Sequence, residues 1–210
     1  MPNILVISLA GFTVLSCDMY PRLNLKLLTR AAVHESFIPE DALHYIGISW
    51  PQIILVSDSA ILDQENERLL EAVTEQVKYG CTMVCMGTFA TTAPYDKLDS
   101  MFKERFGLGW RVYEFTTRTV RLWHKVQQAM VSRTSLVSMF SAEAVFLRHV
   151  PTKEMVYVDD SSDHTYAAFA RVGYGKLGYI GDVNFMEEPE HLILGMCQID
   201  WPADAPRAIV

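Results

Sequence analysis

Gly173-Tyr174-Gly175-Lys176-Leu177-Gly178-Tyr179-Ile180-Gly181-Asp182-Val183-Asn184 reads as a turn followed by a short strand. The glycine pair supplies the turn, Leu177, Tyr179 and Ile180 the apolar body, and the run stops abruptly on Asp182 and Asn184. A strand that ends on polar residues marks the rim of a sheet, where α/β proteins usually place ligands.

Upstream, Asn3 to Leu9, Gln52 to Val56 and Thr82 to Met86 are aliphatic runs of strand length, suited to strands covered on both faces. Helical stripes separate them. Leu23 to His34 carries Leu23, Leu27, Leu28 and Ala31 on one face. Asp63 to Tyr79 aligns Leu69, Leu70, Val73 and Val77 against a glutamate-rich face and ends at Gly80. Pro94 to Phe106 starts on proline and stops at Gly107. The alternation predicts right-handed crossovers and a parallel sheet between helices.

Beyond Trp110 the pattern changes. Trp110 to Trp123 alternates and is rich in aromatic and β-branched residues, and Ala144 to Val150, Glu154 to Val158 and Ala167 to Val172 are further strand candidates. Glu190 to Ile199, introduced by Pro189, is a final helix. The expected fold is therefore a three-layer α/β domain over residues 1–200. It has a flavodoxin-like parallel sheet flanked by helices, with extra, partly antiparallel strands in the second half and a loose tail at 201–210.

Composition narrows the class. Half of the 210 residues are hydrophobic, enough for a sizeable core, and the net charge of −7 with no basic cluster argues against nucleic acid. The four cysteines, Cys17, Cys81, Cys85 and Cys197, are too scattered for a disulfide framework and read as free thiols. Ile4 to Cys17 resembles the apolar part of a signal peptide, but no Lys or Arg precedes it, so a buried first strand and a cytoplasmic chain are the expectation. No apolar run reaches the roughly 18 residues of a membrane span. No cofactor motif is present, and Asp159-Asp160-Ser161-Ser162-Asp163-His164 has the residue types but not the spacing of a calcium loop, so no metal is expected.

Three segments in order carry a family resemblance: Ile53-Ile54-Leu55-Val56-Ser57-Asp58 with its following helix, Thr82-Met83-Val84-Cys85-Met86-Gly87, and Gly175 to Gly181. The chain resembles class I glutamine amidotransferase-like proteins, in particular their ThuA-like branch. The resemblance implies a ligand site at the carboxyl ends of the strands, with Cys85 at the nucleophile position, and a sugar or polyol as ligand. It also shows what is missing: Met186 and Asp182 stand where relatives carry histidine, and Met83 replaces a glycine, so the Cys-His-Glu triad is incomplete.

Read residue by residue, Cys85 is a nucleophile candidate if His164 or His191 reaches it, and otherwise a small core hydrophobe. Asp58 and Asp182 could do acid/base work or hold a cation, or each caps the helix that follows. Ser8, Arg118 and Asn184 are candidate ligand-binding groups, Arg118 for an anionic group or as half of a salt bridge. Two functions follow: a protein that binds or acts on a small molecule at the strand ends, or a non-catalytic interaction module. In the second, the aromatic segment from Trp110 to Trp123 supplies a homodimer surface.

Overall fold

The computed structural model describes residues 1–11, 13–15, 20–127 and 129–199; Cys17 and the expected tail at 201–210 lie outside the described residues. Strands β1 (Asn3–Ile7), β2 (Ala32–Ser36), β3 (Ile53–Val56), β4 (Thr82–Cys85), β5 (Arg111–Leu122), β6 (Met139–Arg148), β7 (Met155–Asp159), β8 (Thr165–Val172) and β9 (Gly175–Ile180) join one sheet in the order β2-β1-β3-β4-β9-β8-β6-β5-β7. The helices are α1 (Pro21–Arg30), α2 (Pro39–Ser49), α3 (Glu67–Lys78), the single turn α4 (Phe89–Thr92), α5 (Tyr95–Ser100), which runs into a π turn, and α6 (Glu187–Cys197).

This corrects the expectation of a flavodoxin-like parallel sheet with added strands. Parallel pairing stops at β9, whose other edge is antiparallel to β8. Strands β8, β6, β5 and β7 then close on themselves through a second β7–β8 ladder, making a four-stranded antiparallel barrel. The alternating sequence of β5 belongs to that barrel: Val112 and Val120 are buried while Tyr113, Phe115, Thr117 and Thr119 face outward. Closure pairs ladder groups that a sheet edge would leave open.

The first half also differs in detail. The helix predicted over Leu23 to His34 ends at Arg30, and Ala32–Ser36 pairs with β1 as an edge strand. That segment has one β-branched residue, Val33, so nothing local marks it; the exposed edge of β1 selects it. Helix α2 and the single turn α4 likewise lack a counterpart in the sequence reading, although Pro39 opens α2 and Glu40 and Asp41 suit its positive end. In α3 the stripe Leu69, Leu70, Val73 and Val77 is buried, each side chain contributing about 1.5–3 kcal/mol. Pro189 sits within the first turn of α6, where no intrahelical N–H is required.

The opening stretch of sequence thus holds the two halves together. Along β9, Thr82 to Cys85 pair on one edge and Ala167 to Val172 on the other. Tyr179, fully buried, sends its hydroxyl to the Val145 carbonyl of β6 at 2.9 Å and packs edge-on against Phe102. At Gly181 the β6 backbone comes so close that a Cβ would overlap the Val145 carbonyl oxygen. Gly181→Ala is therefore expected to cost about 2–4 kcal/mol, as overpacking against rigid backbone does. Gly47→Ala, in α2 with open space around it, should be neutral or stabilising by up to about 1 kcal/mol. Urea unfolding of the two variants measures both.

Candidate functional site

The carboxyl ends of β1, β3, β4 and β9 form one rim, with Ser8, Ser57-Asp58, Met86-Gly87 and Gly181-Asp182 in successive places. Its left side is a closed hydrogen-bond chain. Ser57 Oγ donates to Ser8 Oγ at 2.9 Å, and Ser8 Oγ donates to Glu35 Oε1 at 3.0 Å, spanning β3, β1 and β2. Glu35 also accepts the Thr13 hydroxyl and the backbone N–H groups of Val14 and Leu15, tying the loop after β1 to the rim. No sequence signal singled out Glu35, because the strand that carries it was itself unmarked.

Asp58 is buried and serves that same side. One oxygen accepts Ala10 N–H and the other Ala60 N–H, both at 3.0 Å, capping the short turn Ser59–Leu62. Burial pushes its carboxyl above the usual range, against the backbone hydrogen bonds from Ala10 and Ala60.

Asp182 serves the opposite side. Its oxygens accept Asn184 N–H at 3.2 Å, Phe185 N–H at 2.8 Å and the Tyr166 hydroxyl of β8 at 3.3 Å. Burial raises its pKa to about 6, with the bonds from Phe185, Asn184 and Tyr166 pulling the other way. The two aspartates stand on strands separated by β4, about 10 Å between strand axes. Their partners lie on opposite outer sides, Ala10 beyond β1 and Tyr166 on β8. The fold therefore does not unite them into an acid/base pair. Asn184 is exposed and contributes its backbone N–H to this turn.

Cys85 ends β4, between Val56 and Tyr179, and is wholly enclosed. Burial pushes its thiol up, and its sulfur has no hydrogen-bond partner among the described residues. The turn after it folds back: Gly87 adopts φ +66°, and a Cβ there would lie 2.7 Å from the Ser57 carbonyl oxygen, which Thr88 N–H already approaches at 2.8 Å. The candidate bases are engaged elsewhere. His164 bonds Ser162 and stacks on Tyr113, while His191 lies 3.8 Å from Glu187. A thiolate needs an electropositive, accessible setting, and this one is apolar and closed.

Arg118 is not on the rim at all. It stands on β5, three ladders from β9, and pairs with Asp159 at 2.8 Å and with Glu114. Asp159, from the acidic segment without calcium-loop spacing, is buried; burial raises its carboxyl, but bonds from Ser162, Ser161 and Arg118 outweigh that and hold it below the usual range. Among the described residues no group of three or more His, Cys, Asp or Glu is placed to hold a metal. No helix among them is long and apolar enough to cross a membrane.

No protein-family model matches the chain, and no curated protein does. Solved structures do. A cytoplasmic protein from Salmonella typhimurium LT2 is 11% identical with a TM-score of 0.64, over 94% of this chain and 98% of that one. A putative GMP synthase subunit from Thermoplasma acidophilum is 12% identical with a TM-score of 0.54, over 95% of this chain and 94% of that one. A β-galactosidase from Bacillus circulans sp. alkalophilus is 14% identical with a TM-score of 0.53; the match covers 93% of this chain and 30% of that enzyme, so the chain spans under a third of its length. At such identities the likeness is one of fold. The glutamine amidotransferase-like, ThuA-like resemblance gains no family-level support from these comparisons, and its flavodoxin-like sheet is replaced by the half-parallel, half-barrel sheet described above.

Because its folded pKa lies above the ordinary 3.8, Asp182 contributes stability that is fully present below about pH 4 and is lost as pH rises through about 6. The loss is at most about 3 kcal/mol. Asp182→Asn, which stays neutral and keeps a carbonyl acceptor, should flatten that slope and be the more stable form at pH 7.5. Denaturation midpoints at pH 4, 5, 6 and 7.5 test this; parallel curves for the two proteins would refute it.

Proposed function

We propose that this chain is a non-catalytic interaction module that self-associates through the outer face of the β5–β6 ribbon. The observation that carries the reading is the internal consumption of the strand-end rim. Ser8, Ser57, Glu35 and Asp58 bond to one another or to backbone, and the thiol at the nucleophile position is sealed in the core. A working site keeps reactive groups within reach of substrate. The association face differs from the surface the sequence suggested. Trp110 and Trp123 are core, whereas Tyr113, Phe115 and Met139 stand 39%, 50% and 49% exposed beside Thr117 and Thr119. Such a face would meet its own copy across a two-fold axis, the commonest route to a homodimer. A cytoplasmic location belongs to the same reading, since the buried free thiols Cys81, Cys85 and Cys197 suit a reducing compartment.

A second reading is favoured by Asp182 alone. Its buried carboxyl, beside the Tyr166 hydroxyl and titrating near 6, has the basicity of a general acid or base. In that reading a small molecule, a sugar or polyol by analogy of fold alone, occupies the end of β9.

Two measurements test the first reading. Native protein treated with iodoacetamide near neutral pH is expected to leave Cys85 unmodified, with labelling appearing on unfolding; rapid native labelling of Cys85 would sink the non-catalytic reading. In sedimentation experiments the wild type is expected to dimerise, and Phe115→Asp to shift it to monomer with an unchanged circular dichroism spectrum. A monomeric wild type at all concentrations would remove the proposed surface.

A further inference from the structure

At the opposite end of β9 from the rim, a cavity of about 220 Å³ is lined by Gln127, Met130, Lys153, Glu154, Phe169 and Arg171. Its charge is out of keeping with a protein of net charge −7. Arg171 of β8 and Lys176 of β9 are direct cross-strand partners, so their side chains leave the same face of the sheet. Like charges placed directly opposite destabilise a ladder, and neither cation has a carboxylate partner among the described residues. Lys176 instead lies 5.8 Å over the ring of Phe169, which lines the cavity two residues before Arg171 on the same face. Burial and the Arg171 charge both lower its pKa, so the arrangement costs folding energy. Lys153 adds a third cation, 76% exposed and 3.8 Å from Glu154. Glu154 is the one carboxylate of the lining, and its other oxygen accepts the Trp110 indole N–H at 2.9 Å. The lining thus holds two cations, Lys153 and Arg171, against one carboxylate, and Lys176 stands next to it as Arg171's cross-strand partner over the Phe169 ring.

We infer that this cavity binds the phosphate monoester of a small organic molecule. The phosphate oxygens are held between the Arg171 and Lys176 side chains, and the organic part lies against Phe169 and Met130. A guanidinium presents paired donors to phosphate and an ammonium a point charge, and the two together offset the repulsion across the ladder. Phe169 and Met130 give the site an apolar wall, and Gln127 and Lys153 give it polar groups at the mouth. The volume lies below the roughly 300–1,000 Å³ of sites for drug-sized ligands, which restricts the ester to a few carbons. This site is independent of the self-association face and of the strand-end rim.

Isothermal titration of the whole chain with glycerol 3-phosphate, inorganic phosphate and glycerol at constant ionic strength tests the assignment. Glycerol 3-phosphate is expected to bind with a Kd of about 1 mM or tighter, more tightly than inorganic phosphate, and glycerol not at all. Arg171→Gln and Lys176→Gln should each weaken binding at least about tenfold. Both should raise the melting temperature without ligand, which separates lost binding from lost folding. Lys103→Gln, an exposed lysine on the π turn after α5, should change nothing. Absence of binding up to about 10 mM, or undiminished binding by the two variants, overturns the site. Equal affinity for inorganic phosphate overturns its assignment to an organic ester.

Discussion

Everything in this fold hangs on the two hydrogen-bonded edges of β9. A strand has two rows of backbone donors and acceptors, and here one row is parallel to β4 and the other antiparallel to β8. If either ladder opened, the helix-covered parallel strands and the antiparallel barrel would part along it, exposing two edges and the core between them. Tyr179 and Gly181 reinforce the joint from opposite directions. The first reaches β6 with its hydroxyl, and the second yields the space that the β6 backbone takes. The stretch carries several glycines because main chains approach it on both sides.

The same constraint explains the state of the rim. A barrel closing beside the parallel strands brings Tyr166 over the end of β9 and draws Asp182 toward it. On the other flank, edge strand β2 brings Glu35 to Ser8 and gathers the loop after β1. Ser8, Ser57, Asp58 and Asp182 are thereby turned sideways into neighbouring loops or strands. The strand-end groups that α/β folds often turn toward a ligand here bond to one another or to backbone. At the other end of β9 two like charges, Arg171 and Lys176, stand directly opposite each other across the ladder.

Some of this was legible in the residues. The aliphatic runs of β1, β3 and β4 and the stripe of α3 are signals set within single segments, and burial follows from them directly. That Asp58 is a cap was one of two readings its position allowed, and the Ala10 and Ala60 N–H groups decide it. Strand β2 was hidden because its residues have no strong preference of their own; pairing with β1 overrides a helical continuation. Arg118 gave no hint of its partner because Asp159 lies 41 residues away in the chain.

What the sequence determined by itself is therefore local: which segments extend, which coil, where turns fall, and that a polar stop follows Ile180. Barrel closure was decided only in three dimensions, because any alternating strand carries the same pattern in an open sheet or a closed one, and only the β7–β8 ladder tells them apart. The fate of Cys85 was decided there too. A cysteine at a strand end is chemically the same residue whether a crevice or a core lies beyond it. Here the Gly87 turn folds back on Ser57 and Tyr179 pairs beside Cys85, so the thiol is wholly buried and its pKa is pushed up by desolvation.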